Sequence, residues 1–210
     1  MFNNQKLKKI KKITVALVFT FCVTLAQAQQ DTDNKVQFGA RAGVNFSTIT
    51  GDDFEDPNSR TSFYAGLVAE SFISEKFALQ GEIFYSGQGF DIEETTFAGV
   101  TVSPAVEFQV DYIQVPLLAK IYLIEGLNIH AGPQFGFKIN EEVDTDPTGD
   151  GGDFDTDRIK DFDFQLAAGA EFKLTSGFFI QARYNYGFSE VVEDSDAHNA
   201  TFSAGIGFMF

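Results

Sequence analysis

The residues best suited to bind a metal ion lie in the segment 141–157, which concentrates aspartate and glutamate among glycines. Counted from Asp144, carboxylates stand at the first, third and twelfth positions and a glycine stands at the sixth, as in calcium-binding loops. The match is incomplete because a proline stands at the fourth position and no helical pattern flanks the segment. The alternative is an acidic surface loop without a bound ion. The candidate Ca²⁺ ligands are Asp144, Asp146, Asp150 and Asp155.

Nucleophilic or acid–base catalysis would require a histidine close to a serine or cysteine and to an orienting group. The chain contains only two histidines. His130 lies on the polar face of a predicted strand, which favours a hydrogen-bonding role over a catalytic one. His198 lies beside Asp194 and Asp196 in a predicted loop, where a solvated side chain is the simplest interpretation. We therefore predict no catalytic residue.

Apolar and polar residues alternate over eight segments of the chain, and this period of two predicts β-strands. The clearest segment is 127–139, in which every odd position is apolar or proline and every even position is polar or glycine. Strands of about 10 to 13 residues are long for soluble proteins but suit strands that cross a membrane at a tilt. The predicted strands are 36–47, 62–72, 77–90, 108–122, 127–139, 161–173, 178–188 and 199–210.

Six charged side chains fall on the face of these strands that is not apolar. A charge on the lipid face of a membrane barrel would cost about 2–4 kcal/mol near the midplane, so these side chains should point inward. An eight-stranded barrel is just wide enough for side chains to fill it, which predicts a packed lumen of ion pairs such as Glu82 with Lys120. The alternative is a gated, narrow ion conductance. The predicted lumen network contains Arg41, Glu70, Glu82, Lys120, Glu171 and Arg183.

The connections between the predicted strands alternate between short and long. Short turns at one rim and long loops at the other, with an even number of strands, are typical of bacterial outer-membrane barrels. We therefore predict an all-β fold, an eight-stranded antiparallel up-and-down transmembrane β-barrel. A soluble, lipocalin-like ligand-binding barrel is the alternative, since it also has eight strands. The short turns are 73–76, 123–126 and 174–177, and the long connections are 48–61, 91–107, 140–160 and 189–198.

The first 28 residues have the features of a signal peptide. Lysines precede an apolar run from Ile13 to Leu25, and the small-residue site Ala26-Gln27-Ala28 follows it. We predict cleavage after Ala28, which leaves residues 29–210 as the outer-membrane β-barrel domain. The only cysteine, Cys22, lies in the predicted signal peptide, so the mature chain should have no disulfide or thiol chemistry.

Acidic residues dominate the predicted mature chain. Removing the five lysines of the signal peptide from 15 basic residues leaves ten, against 30 acidic residues, for a formal net charge of −20. This charge disfavours nucleic acid as a partner. The long connections are acidic as well, and an anionic rim would favour cations at the mouth of any pore.

Four segments resemble a known family. Gly39–Ser47, Tyr112–Lys120, Ala131–Gly136 and Gly205–Phe210 together resemble the small outer-membrane β-barrel family of Bacteroidota, which includes PorT-like proteins. The resemblance implies insertion by the outer-membrane barrel assembly machinery, with Phe210 as the recognition residue, and contact with outer-membrane lipid and lipopolysaccharide. It implies no particular activity. PorT-like members are linked to type IX protein secretion, but no residue here singles out that role.

The expected protein is therefore a non-enzymatic barrel in the outer membrane of a Gram-negative bacterium, with a structural, surface-interaction or narrow porin-like role. We expect no cofactor apart from Ca²⁺ in the 141–157 segment. An outer-membrane enzyme that modifies lipid is the alternative from another class, and the lack of a convergent histidine and serine pair disfavours it.

Overall fold

The computed structural model describes the chain in seven ranges, and they form a closed barrel of antiparallel strands. This confirms the predicted all-β fold with eight barrel strands. Among the described residues, no helix is long and apolar enough to cross a membrane. The described ranges are 36–51, 58–92, 96–97, 100–101, 106–144, 160–190 and 197–210.

The described residues form ten strands, eight of which build the barrel. Two further strands of two residues each, β4 and β5, pair only with one another between β3 and β6. Around the barrel the order is β1-β10-β9-β8-β7-β6-β3-β2, so that each barrel strand neighbours the barrel strands before and after it in the chain and the first pairs with the last. The strands are β1 Val36–Thr50, β2 Asn58–Phe72, β3 Phe77–Ile92, β4 Thr96–Phe97, β5 Val100–Thr101, β6 Val106–Tyr122, β7 Leu127–Asp144, β8 Phe162–Lys173, β9 Phe178–Gly187 and β10 His198–Met209.

Alternate residues of each strand point to opposite faces of the barrel wall, as the pleat of a β-strand requires. Strand β9 is the clearest case, since its residues alternate strictly between exposed and buried. Large apolar side chains lie on the outside, including Ile180, which is 60% exposed, and Ile206, which is 61% exposed. Polar side chains, among them Arg183, lie buried inside. The wall is therefore apolar outside and polar inside, as a membrane barrel needs to be.

Three short turns join strands at one rim, which we call the short-turn rim. They share a hydrogen bond from the first turn residue to the first residue of the next strand: Ile73 N to Phe77 O at 2.8 Å, Leu123 N to Leu127 O at 2.9 Å and Leu174 N to Phe178 O at 2.7 Å. Two of the turns end in a glycine of the left-handed region, Gly126 with φ 80° and Gly177 with φ 94°. The opposite end, where the chain leaves β1, β3, β7 and β9, is the long-loop rim.

Several strands extend farther toward the long-loop rim than the sequence pattern predicts, most of all β7, which ends at Asp144 instead of 139. The alternation breaks because the strand contains a bulge. Tyr112 pairs with Lys138 but Asp111 pairs with Asn140, so Ile139 has no partner on β6. The bulge reverses the alternation, and Glu141 is buried while Asn140 is exposed. The prediction that a loop begins at 140 was therefore wrong.

The pair Gly43 and Gly205 lies where the first and last strands close the barrel. A Cβ atom added to Gly205 would overlap the carbonyl oxygen of Ala42 and the hydroxyl of Tyr64. We expect G205A to lower the free energy of unfolding by about 1–3 kcal/mol, because neither backbone can retreat without loosening the closing pair. Urea unfolding followed by circular dichroism would measure it.

The matched control for this prediction is G81A. A Cβ atom on Gly81 would meet only Leu117 Cδ2, at an ordinary contact distance of 3.7 Å. Equal unfolding free energies for G205A and G81A would show that the closing pair is not tightly packed.

Candidate functional site: the charged lumen

A carboxylate at the centre of the barrel holds two arginines. Arg183 binds Glu82 through two hydrogen bonds, Nη1 to Oε2 at 2.9 Å and Nη2 to Oε1 at 2.7 Å. Arg41 Nη2 lies 3.1 Å from Glu82 Oε2. All three side chains are buried. We call these three residues the Glu82 cluster, and its bidentate pair has the geometry of the strongest charge-assisted hydrogen bonds.

The Glu82 cluster crosses the barrel. Glu82 lies on β3 and Arg183 on β9, and these strands are separated by three others in either direction around the wall. The contact between them therefore passes through the middle of the lumen. It leaves little room for a continuous pore, in line with the small diameter of eight-stranded barrels.

Two aromatic rings that sequence analysis missed complete this cluster. The guanidinium carbon of Arg41 lies 4.7 Å from the ring centre of Tyr64 and 4.2 Å from that of Phe84. Such cation–π contacts stabilise a charge that water cannot reach. The signal was present in the sequence, since Tyr64 has the same even parity as Glu70 on β2 and Phe84 the same parity as Glu82 on β3.

A second group of charges, the Lys120 cluster, consists of Lys120, Glu70 and Glu171. Lys120 Nζ donates to Glu70 Oε2 at 2.8 Å, to Glu171 Oε1 at 2.7 Å and to Gln80 Oε1 at 2.8 Å. All three ammonium hydrogens therefore have an acceptor. Lys173 Nζ, at the short-turn end, lies 2.9 Å from the other oxygen of Glu70.

The structure thus brings all six predicted lumen residues inside the barrel, but the predicted pair of Glu82 with Lys120 was wrong. Lys120 pairs with Ala78 in the register between β3 and β6, four residues before Glu82. Each charge therefore meets a different partner. Gln80 lies between the clusters and joins them, since its Nε2 donates to Glu82 Oε1 at 2.5 Å while its Oε1 accepts from Lys120.

The two histidines lie in different surroundings. His130 is buried, its Nε2 accepts from Arg183 Nε at 3.3 Å, and its Nδ1 lies 3.4 Å from Asn128 Oδ1. Because arginine can only donate, Nε2 carries no proton and the ring is neutral, with its proton on Nδ1. His198, near the long-loop rim, donates from Nδ1 to the backbone oxygen of Ser189 at 3.1 Å. His130 therefore contacts the Glu82 cluster through Arg183.

Three apolar side chains occupy another part of the lumen. Val68, Phe179 and Met209 form a buried apolar cluster, and Val68 lies opposite Glu82 in the register between β2 and β3. A cavity of about 420 Å³ opens at the short-turn rim, and Tyr122 and Lys173 are among the residues that line it. Both of these residues also contact Glu70 of the Lys120 cluster.

The remaining predicted sites lie mostly outside the described residues. This holds for Asp146, Asp150 and Asp155, and for the side chain of Asp144, so Ca²⁺ binding there stays a prediction, as does the signal peptide at 1–28. Within the described ranges, no group of three or more histidine, cysteine, aspartate or glutamate side chains is placed to hold a metal ion. Phe210 is 74% exposed, and its backbone nitrogen donates to Phe38 O at 2.8 Å.

A family model described as the outer membrane protein beta-barrel domain matches residues 26–193. The chain belongs to this family. The chain is thus an outer-membrane β-barrel protein of a Gram-negative bacterium, as predicted, which decides against the soluble lipocalin-like alternative. No curated protein matches it in sequence.

Solved structures of outer-membrane proteins share the fold. Neisserial surface protein A is 14% identical, with a TM-score of 0.55 over 84% of this chain and 99% of the other. Ail, the attachment invasion locus protein of Yersinia pestis, is 16% identical, with a TM-score of 0.50 over 84% of this chain and 99% of its own. A second structure of Ail contains the heparin analogue sucrose octasulfate, with a TM-score of 0.51, 16% identity and the same coverage. At these identities the likeness extends to the fold alone.

Proposed function

We propose that this outer-membrane barrel is non-enzymatic, has a closed lumen and works as a structural or surface-interaction protein through its long-loop rim. The observation that supports this most is the contact between Glu82 and Arg183, which spans the lumen between opposite strands. A solute would have to separate these charges in order to pass.

Two other roles receive less support. A narrow porin-like conductance would require the Glu82 and Lys120 clusters to rearrange, yet almost every charge in them already has a close partner of opposite sign. A lipid-modifying enzyme would need a histidine hydrogen-bonded to its nucleophile. Ser189 Oγ instead donates to Asp163 Oδ1 at 2.6 Å, and His198 contacts the backbone of that serine.

The proposed partners are the surrounding lipid and a molecule at the cell surface. Outer-membrane lipid and lipopolysaccharide would surround the apolar wall, and a surface partner would meet the acidic long-loop rim. Ail has been solved with a heparin analogue, a polyanion. The net negative charge of this chain favours a cationic partner instead. The resemblance to PorT-like proteins of Bacteroidota adds a role near protein secretion as a finer hypothesis.

The test uses the protein purified from outer membranes and reconstituted into lipid vesicles. A gel band that shifts on heating would report the folded barrel, and vesicle swelling in sugar solutions would report solute passage. We expect a heat-dependent band and no more swelling than in protein-free vesicles. Swelling that depends on the protein would contradict the closed lumen, and altered lipid A in cells that express the chain would contradict the non-enzymatic role.

Deletion of Phe210 tests its proposed role as the residue recognised by the assembly machinery. The ring is largely exposed and lies 6.2 Å from the ring of Phe208 between ring centres, and the backbone nitrogen of Phe210 donates to Phe38 O. We expect much less barrel in the outer membrane, measured on immunoblots, but a folded protein whose unfolding free energy falls by less than about 1 kcal/mol. A loss of unfolding free energy large enough to account for the lower abundance would mean that Phe210 acts only by packing.

A further inference from the structure

One buried carboxylate of the lumen has only uncharged partners. Asp163, at the long-loop end of β8, is 1% exposed. Its Oδ1 accepts from Ser189 Oγ at 2.6 Å, and its Oδ2 accepts from Gln165 Nε2 at 2.6 Å and from Asn199 Nδ2 at 2.7 Å. Three donors favour the ionised form of a carboxyl group, which can only accept. Asp163 is therefore a buried negative charge.

No lysine or arginine among the described residues forms an ion pair with Asp163. The two lysines at this end of β7 and β8, Lys138 and Lys160, bind other carboxylates. Arg183 pairs with Gly169 in the register between β8 and β9, six residues and about 20 Å along the strand from Asp163. Because a buried charge without a counter-charge is costly, the surroundings of Asp163 favour a bound cation.

The charge of Asp163 fixes the direction of a chain of amides. Because the carboxylate only accepts, Gln165 presents its nitrogen to Asp163 and its oxygen to Gln134. Gln134 Nε2 donates to Gln165 Oε1 at 2.8 Å. Gln134 Oε1 is therefore an acceptor, and it is buried and has no hydrogen-bond partner. A free amide oxygen in the same network as a carboxylate is a suitable ligand for a hard cation.

A second amide without partners lies on the other side of Gly136. This glycine on β7 pairs with Asp163 on β8 and with Gln114 on β6. Gln114 leans over it, since its Oε1 lies 3.0 Å from the position that a Cβ atom of Gly136 would occupy. Gln114 is fully buried, and neither of its amide atoms has a partner. The carboxylate and the two glutamines therefore surround one glycine of the inner wall.

The other atoms without partners favour an ion of the same sign. Apart from two nitrogens of Arg41 in the Glu82 cluster, seven of the eight buried side-chain atoms without a partner in the described part of the chain are oxygens. Divalent ions such as Ca²⁺ usually take several carboxylates, whereas Asp163 is the one carboxylate beside Gly136. A single monovalent cation would balance its charge.

We propose that the carboxylate of Asp163 and the amide oxygens of Gln114 and Gln134 bind one alkali cation, such as Na⁺, inside the long-loop end of the barrel. Asp163 supplies the negative charge, and the two glutamines supply neutral oxygen ligands. The neutral donors around Asp163 hold its carboxylate in place. The site is separate from the Glu82 cluster and does not depend on the closed lumen of the proposed function.

The sodium dependence of unfolding tests this site. The protein is purified from outer membranes into a nonionic detergent, and its unfolding in urea is measured while NaCl replaces choline chloride at constant total salt. The equilibrium constant for unfolding should fall by the factor 1 + [Na⁺]/Kd, about tenfold at about nine times Kd, and the effect should saturate. Both salts screen charges equally. Equal stability in the two salts would overturn the proposal.

The substitutions D163N and D161N provide a matched pair. Each removes one carboxylate charge, but the side chain of Asp161, two residues earlier, is 93% exposed. We expect D163N to lose the sodium dependence and D161N to keep it. Sodium dependence that survives in D163N would place the ion elsewhere, for example in the acidic segment 141–157, and would also overturn the proposal.

A second measurement uses the native chain, so that it holds even if D163N fails to fold. Nuclear magnetic resonance follows the side-chain amide signals while sodium replaces choline. The signals of Gln114 and Gln134 should shift and saturate at the same sodium concentration as the stability, whereas Gln80, whose amide atoms both have partners, should not shift. Unchanged signals of Gln114 and Gln134 would mean that water alone binds them, and the proposal would be wrong.

Discussion

The substitution E82Q is expected to lower the free energy of unfolding by about 3–5 kcal/mol, which is a large part of the stability of a domain of this size. Glutamine keeps the shape of Glu82 but removes its charge. Arg183 and Arg41 would then face one another in a buried site with no anion between them. A guanidinium cannot lose its proton in a protein, so the two charges cannot neutralise themselves.

The control for this prediction is E190Q. Glu190 pairs with Lys160 at 2.8 Å, a distance close to those in the Glu82 cluster, but these side chains are 53% and 38% exposed. Exposed pairs contribute about 0–1 kcal/mol because water screens them. Unfolding in urea, followed by circular dichroism, would compare the two variants. If E82Q unfolded within about 0.5 kcal/mol of the native chain, the Glu82 cluster would not be a stabilising element.

The substitution K120M is the second of the large effects, with an expected loss of about 3 kcal/mol, at the lower end of the range for a broken buried pair. Methionine fills a similar space but leaves Glu70 and Glu171 without the ammonium that joins them. The loss is smaller than for E82Q because each carboxylate keeps another donor. Glu70 retains Lys173 at 2.9 Å, and Glu171 retains Asn128 at 3.1 Å.

The matched control is K160M, which removes a lysine from the exposed pair. Its unfolding free energy should stay within about 1 kcal/mol of the native value. The order of stabilities is the informative result: native and K160M together, then K120M, then E82Q. A larger loss for K120M than for E82Q would mean that the Lys120 cluster is the main electrostatic element of the lumen.

The direction of each lumen side chain could be predicted from the sequence because alternation is a local property of a strand. Arg41, Glu82 and Lys120 all point inward as their parity requires. Their partners could not be predicted in the same way. Which charge meets which depends on the register between strands and on contacts across the barrel, and a single sequence shows neither.

The same limit explains the missed end of β7. The prediction stopped where the apolar alternation stops, but the strand continues through a bulge at Ile139 and a polar extension to Asp144. A bulge shifts the parity of every later residue by one, so that Glu141 points inward against the pattern. The alternation of apolar and polar residues does not reveal such a shift.

The closed lumen can be tested most directly by recording the current through single copies of the purified protein in planar lipid bilayers. Insertion is first established by the heat-dependent gel band. We expect inserted protein to add no steady current steps to the bare bilayer, because Glu82 and Arg183 join opposite walls of the barrel. Reproducible ohmic steps from the folded, native chain would contradict it.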